Sequence, residues 1–316
     1  MPKLRRGLSV ILVLWLCVML ITFTYTWVSR NWTPSIKGDD INIASSGALV
    51  ISILSDHSDA QDAVSLNDVV GLEVNDSFTF RQVSSQDGIN FFWKDFSDTV
   101  TGELPAKFWK IDPESGDTHK KDYIDVRFCL KLDDGSEESK YIFIHPDTMI
   151  EAIQANSEAD LDKAIRISLT YDKDIVSDSG TQRVSETVIL GNLEDNEGVV
   201  NSREDDAGNT YYMAVLNDAN GKTDEDNSGA LGYQTVYGLQ YFDCGRPSYN
   251  NDDPFHESNY TFKTDGTKAL FTLAPGEIKW VNMRIWLEGQ DQNCIDAIAG
   301  QKFNMLLKFD SVFMQD

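Results

Sequence analysis

Apolar and polar positions alternate with a period of two along most of this chain. The clearest case runs from Ala274 to Phe309. Val281, Met283, Ile285 and Leu287 alternate there with Trp280, Asn282, Arg284, Trp286 and Glu288. After a cysteine-bearing loop, Phe303, Met305, Leu307 and Phe309 alternate with Lys302, Asn304, Leu306 and Lys308. Such alternation puts one set on a buried face and the other outside, so two strands forming a closing hairpin are expected. Similar runs recur at Ile41–Leu54, Phe78–Val83, Tyr123–Leu132, Lys140–His145, Ala164–Tyr171, Val184–Leu190, Thr210–Leu216, Gln234–Phe242 and Lys268–Leu273. Clusters of Asp, Asn, Gly and Ser separate them. Many short strands divided by turn signals imply an all-β sandwich or barrel. Helical patterning is confined to Asp147–Ala155, with Asp147 as N-cap, and a shorter stretch around Asp59–Val64.

The amino terminus departs from this pattern. Residues 1–7 form a basic segment with Lys3, Arg5 and Arg6, and residues 8–28 are uncharged and apolar. That run is about the ~20 residues a bilayer core requires. The basic side should remain cytoplasmic, which sends the rest of the chain outward. A cleaved signal would carry a small-residue cleavage site, and the first alanine is Ala44. An uncleaved signal anchor is therefore preferred over a cleaved signal sequence. Residues 29–40, with Pro34 and Gly38, read as a linker, and residues 41–316 as one extracellular domain.

Charge sharpens the address. The 316 residues carry 51 acidic and 27 basic side chains, a net charge of −24. Four of the basic residues and none of the acidic ones lie within residues 1–30. So acidic a surface repels phosphate backbones, which argues against nucleic acid as a partner. Export permits disulfides among Cys129, Cys244 and Cys294. Cys244 with Cys294 is the candidate pair, because both sit in loop-like surroundings; three reduced thiols are the alternative.

Catalytic patterns are sparse. His256-Glu257 begins an H-E-x-x-H zinc motif, but Tyr260 stands where the second histidine should be. Neither C-x-x-C spacing nor a G-x-S-x-G elbow nor a phosphate-cradling glycine loop occurs. The reading is non-enzymatic, with carboxylate-based hydrolysis the only catalytic chemistry left open. Asp218, Asn220, Asp224 and Asp226 offer hard oxygen ligands suited to Ca²⁺, in an order that does not match an EF-hand loop. Trp93 and Trp286 are candidate sugar-stacking rings, against the alternative that they pack in the interior.

Three motifs together carry a family resemblance. Thr24-Tyr25-Thr26-Trp27 follows the apolar run, and Ala164-Ile165-Arg166-Ile167 lies mid-chain. Trp286-Leu287-Glu288-Gly289, Asp291 and Cys294 close the third. In these the chain resembles the exported surface proteins of Gram-positive, clostridial-type bacteria related to TasA and camelysin. The resemblance implies a jelly-roll-like sandwich displayed outside the cell, whose fibre-forming members polymerise by lending an N-terminal strand to a neighbour. Thr26 replaces the alanine usual in that group. The peptidase activity linked to camelysin has no ligand set here to support it.

The expected protein is thus a membrane-tethered or secreted cell-surface or matrix structural protein that assembles by strand addition. The second reading is a glycan-binding adhesive module stabilised by Ca²⁺.

Overall fold

The computed structural model describes residues 35–46, 49–53, 60–66, 78–95, 107–114, 116, 118–132, 135, 137–153, 160–177, 180–192, 198–201, 203–204, 210–211, 216–217, 234–239, 241–242, 268–289, 291, 294 and 298–313. Its strands are β1 (Ser35–Ser45), β2 (Leu49–Ser52), β3 (Ala63–Ser65), β4 (Phe78–Ser84), β5 (Phe92–Asp95), β6 (Lys107–Lys110), β7 (Ile124–Leu132), β8 (Lys140–Ile144) and β9 (Met149–Ala152). There follow β10 (Ile165–Ser177), β11 (Gly180–Gly191), β12 (Gly198–Asn201), β13 (Arg203–Glu204), β14 (Thr210–Tyr211), β15 (Leu216–Asn217) and β16 (Gln234–Gly238). The last are β17 (Phe271–Leu273), β18 (Ile278–Glu288) and β19 (Lys302–Phe313). A one-turn helix, α1 (Leu161–Ala164), leads directly into β10. The fold is all-β.

Seventeen strands form one curled hydrogen-bonded sheet, with β13 and β14 pairing separately. The curl brings two groups of strands face to face. In the first, β19 is central, with β1 parallel on one edge and β8 and β9 antiparallel on the other. β17 continues beyond β8, while β3 and β4 pair with the far edge of β1. In the second, β18 lies between β7 and β10. β11, β16 and β12 extend this group past β10, and β2 borders β7. β4 belongs to both groups: Phe78 to Arg81 pair with β1, and Gln82 and Val83 pair with β18.

The inward side chains of both groups meet in one apolar cluster. Phe303, Leu307 and Phe309 of β19 join Val281, Met283 and Ile285 of β18 within it, all inaccessible to solvent. Across the layer the Phe128 and Phe309 ring centroids lie 5.7 Å apart. Each such side chain contributes roughly 1.5–3 kcal/mol by leaving water, so this cluster dominates the fold's stability.

The final two strands do not form a hairpin. Each alternates as expected, but β18 finds its partners in one group and β19 in the other. The intervening segment crosses between groups, so the two apolar faces pack on each other rather than lying side by side. The helical expectation at Asp147–Ala155 is also overturned. Met149–Ala152 is strand β9, antiparallel to β19 with Ile150 inward and Glu151 outward. Thr148 Oγ1 accepts from Lys308 N at 3.0 Å, and Ile153 N donates to Lys302 O at 2.9 Å. The β19 edge needs hydrogen-bond partners, and meeting that need outweighs a nine-residue helical signal. The shorter helical expectation fails likewise, since Ala63–Ser65 pairs with β1. The strand expected at Ile41–Leu54 divides into β1 and β2, and β1 starts at Ser35, inside the stretch read as linker.

Candidate functional site

β1 is the first strand of the described chain, and it is inserted between others. Both its edges are hydrogen-bonded, to β19 on one side and to β3 and β4 on the other. Ile36, Ile41 and Ile43 are completely buried. Lys37 N donates to Gln301 O at 3.0 Å, and Gly300 N donates to Ser35 O at 2.8 Å. Outside the core the contacts are lighter: Lys302 Nζ meets Asp39 Oδ1 at 2.9 Å with both side chains substantially exposed. Exposed pairs of this kind contribute about 0–1 kcal/mol, so apolar burial and the backbone ladder hold β1 in place. Only residues 46–48 separate it from β2, which pairs with the other group.

A second constellation lies on the outward face of β18 and β10. Trp286 and Glu288 occupy outward positions yet are buried, because β4 to β6 and the turn after β4 fold over that end. Trp286 packs with Val83, Phe91, Ile111, Tyr123, Ile189 and Val236. Its Nε1 donates to Glu288 Oε2 at 2.9 Å, and Ser85 N donates to the same oxygen at 3.3 Å. The covering turn is built around Gly88, at φ +70°. Gly88 O accepts from Ser168 Oγ at 2.7 Å and from Arg284 Nη1 at 3.4 Å. A Cβ on Gly88 would stand 2.6 Å from Ser168 Cβ, so the turn can approach β10 only without a side chain. Asp87 shapes the turn by accepting from Ile89 N at 2.9 Å and Asn90 N at 2.7 Å. Desolvation opposes ionisation of Asp87, but the hydrogen bonds from Asn90, Ile89 and Ser85 outweigh it and lower its pKa.

The mid-chain and closing motifs meet here. Arg166, from Ala164-Ile165-Arg166-Ile167, sits opposite Trp286 in the β10–β18 register. Its Nη2 donates to Asp291 Oδ2, and its Nη1 donates to Lys163 O and, at 3.1 Å, to Ile165 O. Both charged side chains are buried. Asp291 N donates to Glu288 O at 3.1 Å, and Cys294 N donates to Asp291 O at 3.0 Å, so the ion pair fixes the start of the crossing segment. Among the described residues of this cluster Arg166 pairs with Asp291 and Trp286 with Glu288. The cluster is an anchor.

Trp286 is therefore an interior ring, the packing alternative for that residue. Trp93 is half-buried and stacks on His119, centroids 4.2 Å apart and planes 8° from parallel. His119 Nδ1 lies 2.7 Å from Asp122 Oδ2. Trp280, also half-buried, lies under the Arg127 guanidinium at 4.5 Å. Asp218, Asn220, Asp224 and Asp226 lie outside the described residues, as do Cys244 and residues 1–34. Cys294 is half-buried and Cys129 buried. Among the described residues no group of three or more His, Cys, Asp or Glu is placed to hold a metal ion. No described helix is long and apolar enough to cross a membrane. Burial raises the Tyr171 phenol well above its ordinary value, with Glu186 and Tyr237 adding to the effect.

Reading the sequence missed Ser35–Asp40 as part of the inserted strand, because Pro34 and Gly38 looked like linker residues. The signal was present in Ile36, whose partner inward position, Gly38, carries no side chain to display the alternation. Comparison with family models, curated proteins and solved structures finds no match to this chain.

Proposed function

We propose that this chain is a non-enzymatic structural protein of the cell surface or extracellular matrix, assembling by exchange of β1 between copies. In this reading the all-β domain is a jelly-roll-like sandwich. Residues 8–28 export it or anchor it to the membrane. The observation that carries the proposal is the seating of β1: the first described strand, hydrogen-bonded on both edges, with three isoleucines in the core. A three-residue connection to β2 suits exchange, since short hinges favour swapping of the element they tether. The same strand placed in a neighbour would keep every contact it makes within its own chain, which is why swapping is a low-cost route to oligomers. A head-to-tail series of such exchanges yields a filament where its rotation does not close on itself. The resemblance of the three sequence motifs to TasA-like and camelysin-like surface proteins supports the same reading.

The test is the oligomeric state of the purified protein across a concentration series. Assembly through β1 predicts oligomers that increase with concentration and withstand SDS without heating. A chain that stays monomeric at high concentration, with residues 35–45 intact, contradicts the proposal.

A further inference from the structure

β1 reverses its facing partway along its length. Ile36 and Gly38 point inward, and so do Ile41, Ile43 and Ser45, so the buried positions change from even to odd numbers. The change occurs where Gly38 pairs with Phe303 and Asp40 with Asn304, leaving Asp39 as one residue too many against β19. That is a bulge, and it re-aims every side chain after it. Because strand side chains alternate strictly, a segment lacking the extra residue could bury only one half of this pattern.

Gly38 tightens the requirement. A Cβ there would stand 2.6 Å from Ile41 Cδ1 and 3.1 Å from Phe80 Cε2. Ile41 and Phe80 are both buried and have little room to withdraw. The bulge thus folds Ile41 over the glycine, and each explains the other. On the outer side the extra residue presents its carboxylate to Lys302 Nζ of β19 at 2.9 Å.

We infer that the slot between β19 and the β3/β4 edge selects its occupant by this broken alternation, and that the partner it fits is residues 35–45 of a second copy. The inference rests on the proposed exchange of β1. A matching strand needs an apolar residue, a glycine two positions on, one inserted residue, and then two apolar residues at Ile41 and Ile43 spacing. A regularly alternating amphipathic strand of equal hydrophobicity does not fit. Assembly is then restricted to chains that carry the same interruption.

Fluorescent peptides of residues 35–45 test this when incubated with the full chain below its melting transition. Three are compared: the native sequence, one lacking Asp39, and one with Gly38→Val. Incorporation is read as fluorescence that comigrates with the protein in SDS without heating. The expected result is incorporation of the native peptide and at least a ten-fold loss for each altered one. Equal incorporation of all three overturns the selection while leaving exchange standing. If none incorporates, exchange itself fails and the inference fails with it. A second measurement does not depend on exchange. Deleting Asp39 from the full chain should lower the melting temperature far more than Asp39→Ala does. Equal effects of the two changes would show that the inserted position carries no register and overturn the inference.

Discussion

Arg166 of β10 donates to the carboxylate of Asp291, and both side chains are withdrawn from solvent. The pair ties the end of the β18 segment to the strand beside it, 125 residues apart in sequence. Among the described residues Arg166 Nε has no acceptor, so the pair is imperfectly satisfied. Breaking a buried pair strands one charge at a cost of about 3–5 kcal/mol, whereas replacing both partners with apolar groups is close to neutral. Arg166→Met alone should therefore destabilise by about that amount, and adding Asp291→Leu should restore most of it. Chemical denaturation of the parent and the two variants checks this. A loss below about 1 kcal/mol for the single change would put the pair in the class of exposed ion pairs.

The turn over Trp286 depends on Gly88. Gly88→Ala combines an unfavourable positive φ with a collision against Ser168. Gly276 has a similar φ, +75°, but no atom within 4 Å of its missing Cβ. Gly276→Ala should cost about 1 kcal/mol, from the backbone alone. Gly88→Ala should cost clearly more. Melting temperatures measured side by side separate the two, and equal shifts would mean that the turn does not press on β10.

Asp87 should make the same turn sensitive to acid. Its folded pKa lies below the ordinary 3.8, so it contributes stability above that value and loses it as the pH falls through the folded pKa. Asp87→Asn should destabilise the protein near neutral pH, and the difference from the parent should close as the pH drops below 3.8. Melting curves over that range give the comparison. A difference independent of pH would assign the effect to shape rather than charge.

Alternation alone was enough to locate the interior of β18 and β19, because Val281 to Ile285 and Phe303 to Phe309 keep strict period two. It could not say which strands pair. Both strands present an apolar face, and a hairpin and a facing pair have the same pattern. The sugar-stacking possibility for Trp286 arose for a related reason: its position is outward, and it is buried there by residues from other segments, Val83, Phe91, Ile111, Tyr123, Ile189 and Val236 among them. β9 reads as helix in isolation because Met149-Ile150-Glu151-Ala152 is a good helical sequence; the open edge of β19 makes it a strand. β1 was half legible. Its Ile41 and Ile43 alternate openly, but a bulge and a glycine conceal the first half.

The central claim is that β1 of one copy occupies the slot beside β19 of another. Ala44 and Lys308 are register neighbours on these strands, and neither is fully buried. Chains carrying Ala44→Cys alone and chains carrying Lys308→Cys alone should be mixed, allowed to assemble and oxidised. Mass analysis of the products then reads which chains have joined. Exchange of β1 predicts a covalent dimer containing one chain of each kind, with the new bond mapped between positions 44 and 308. If no such bond forms between chains, while the double variant closes the same bond within a single chain, β1 stays at home and the account is contradicted.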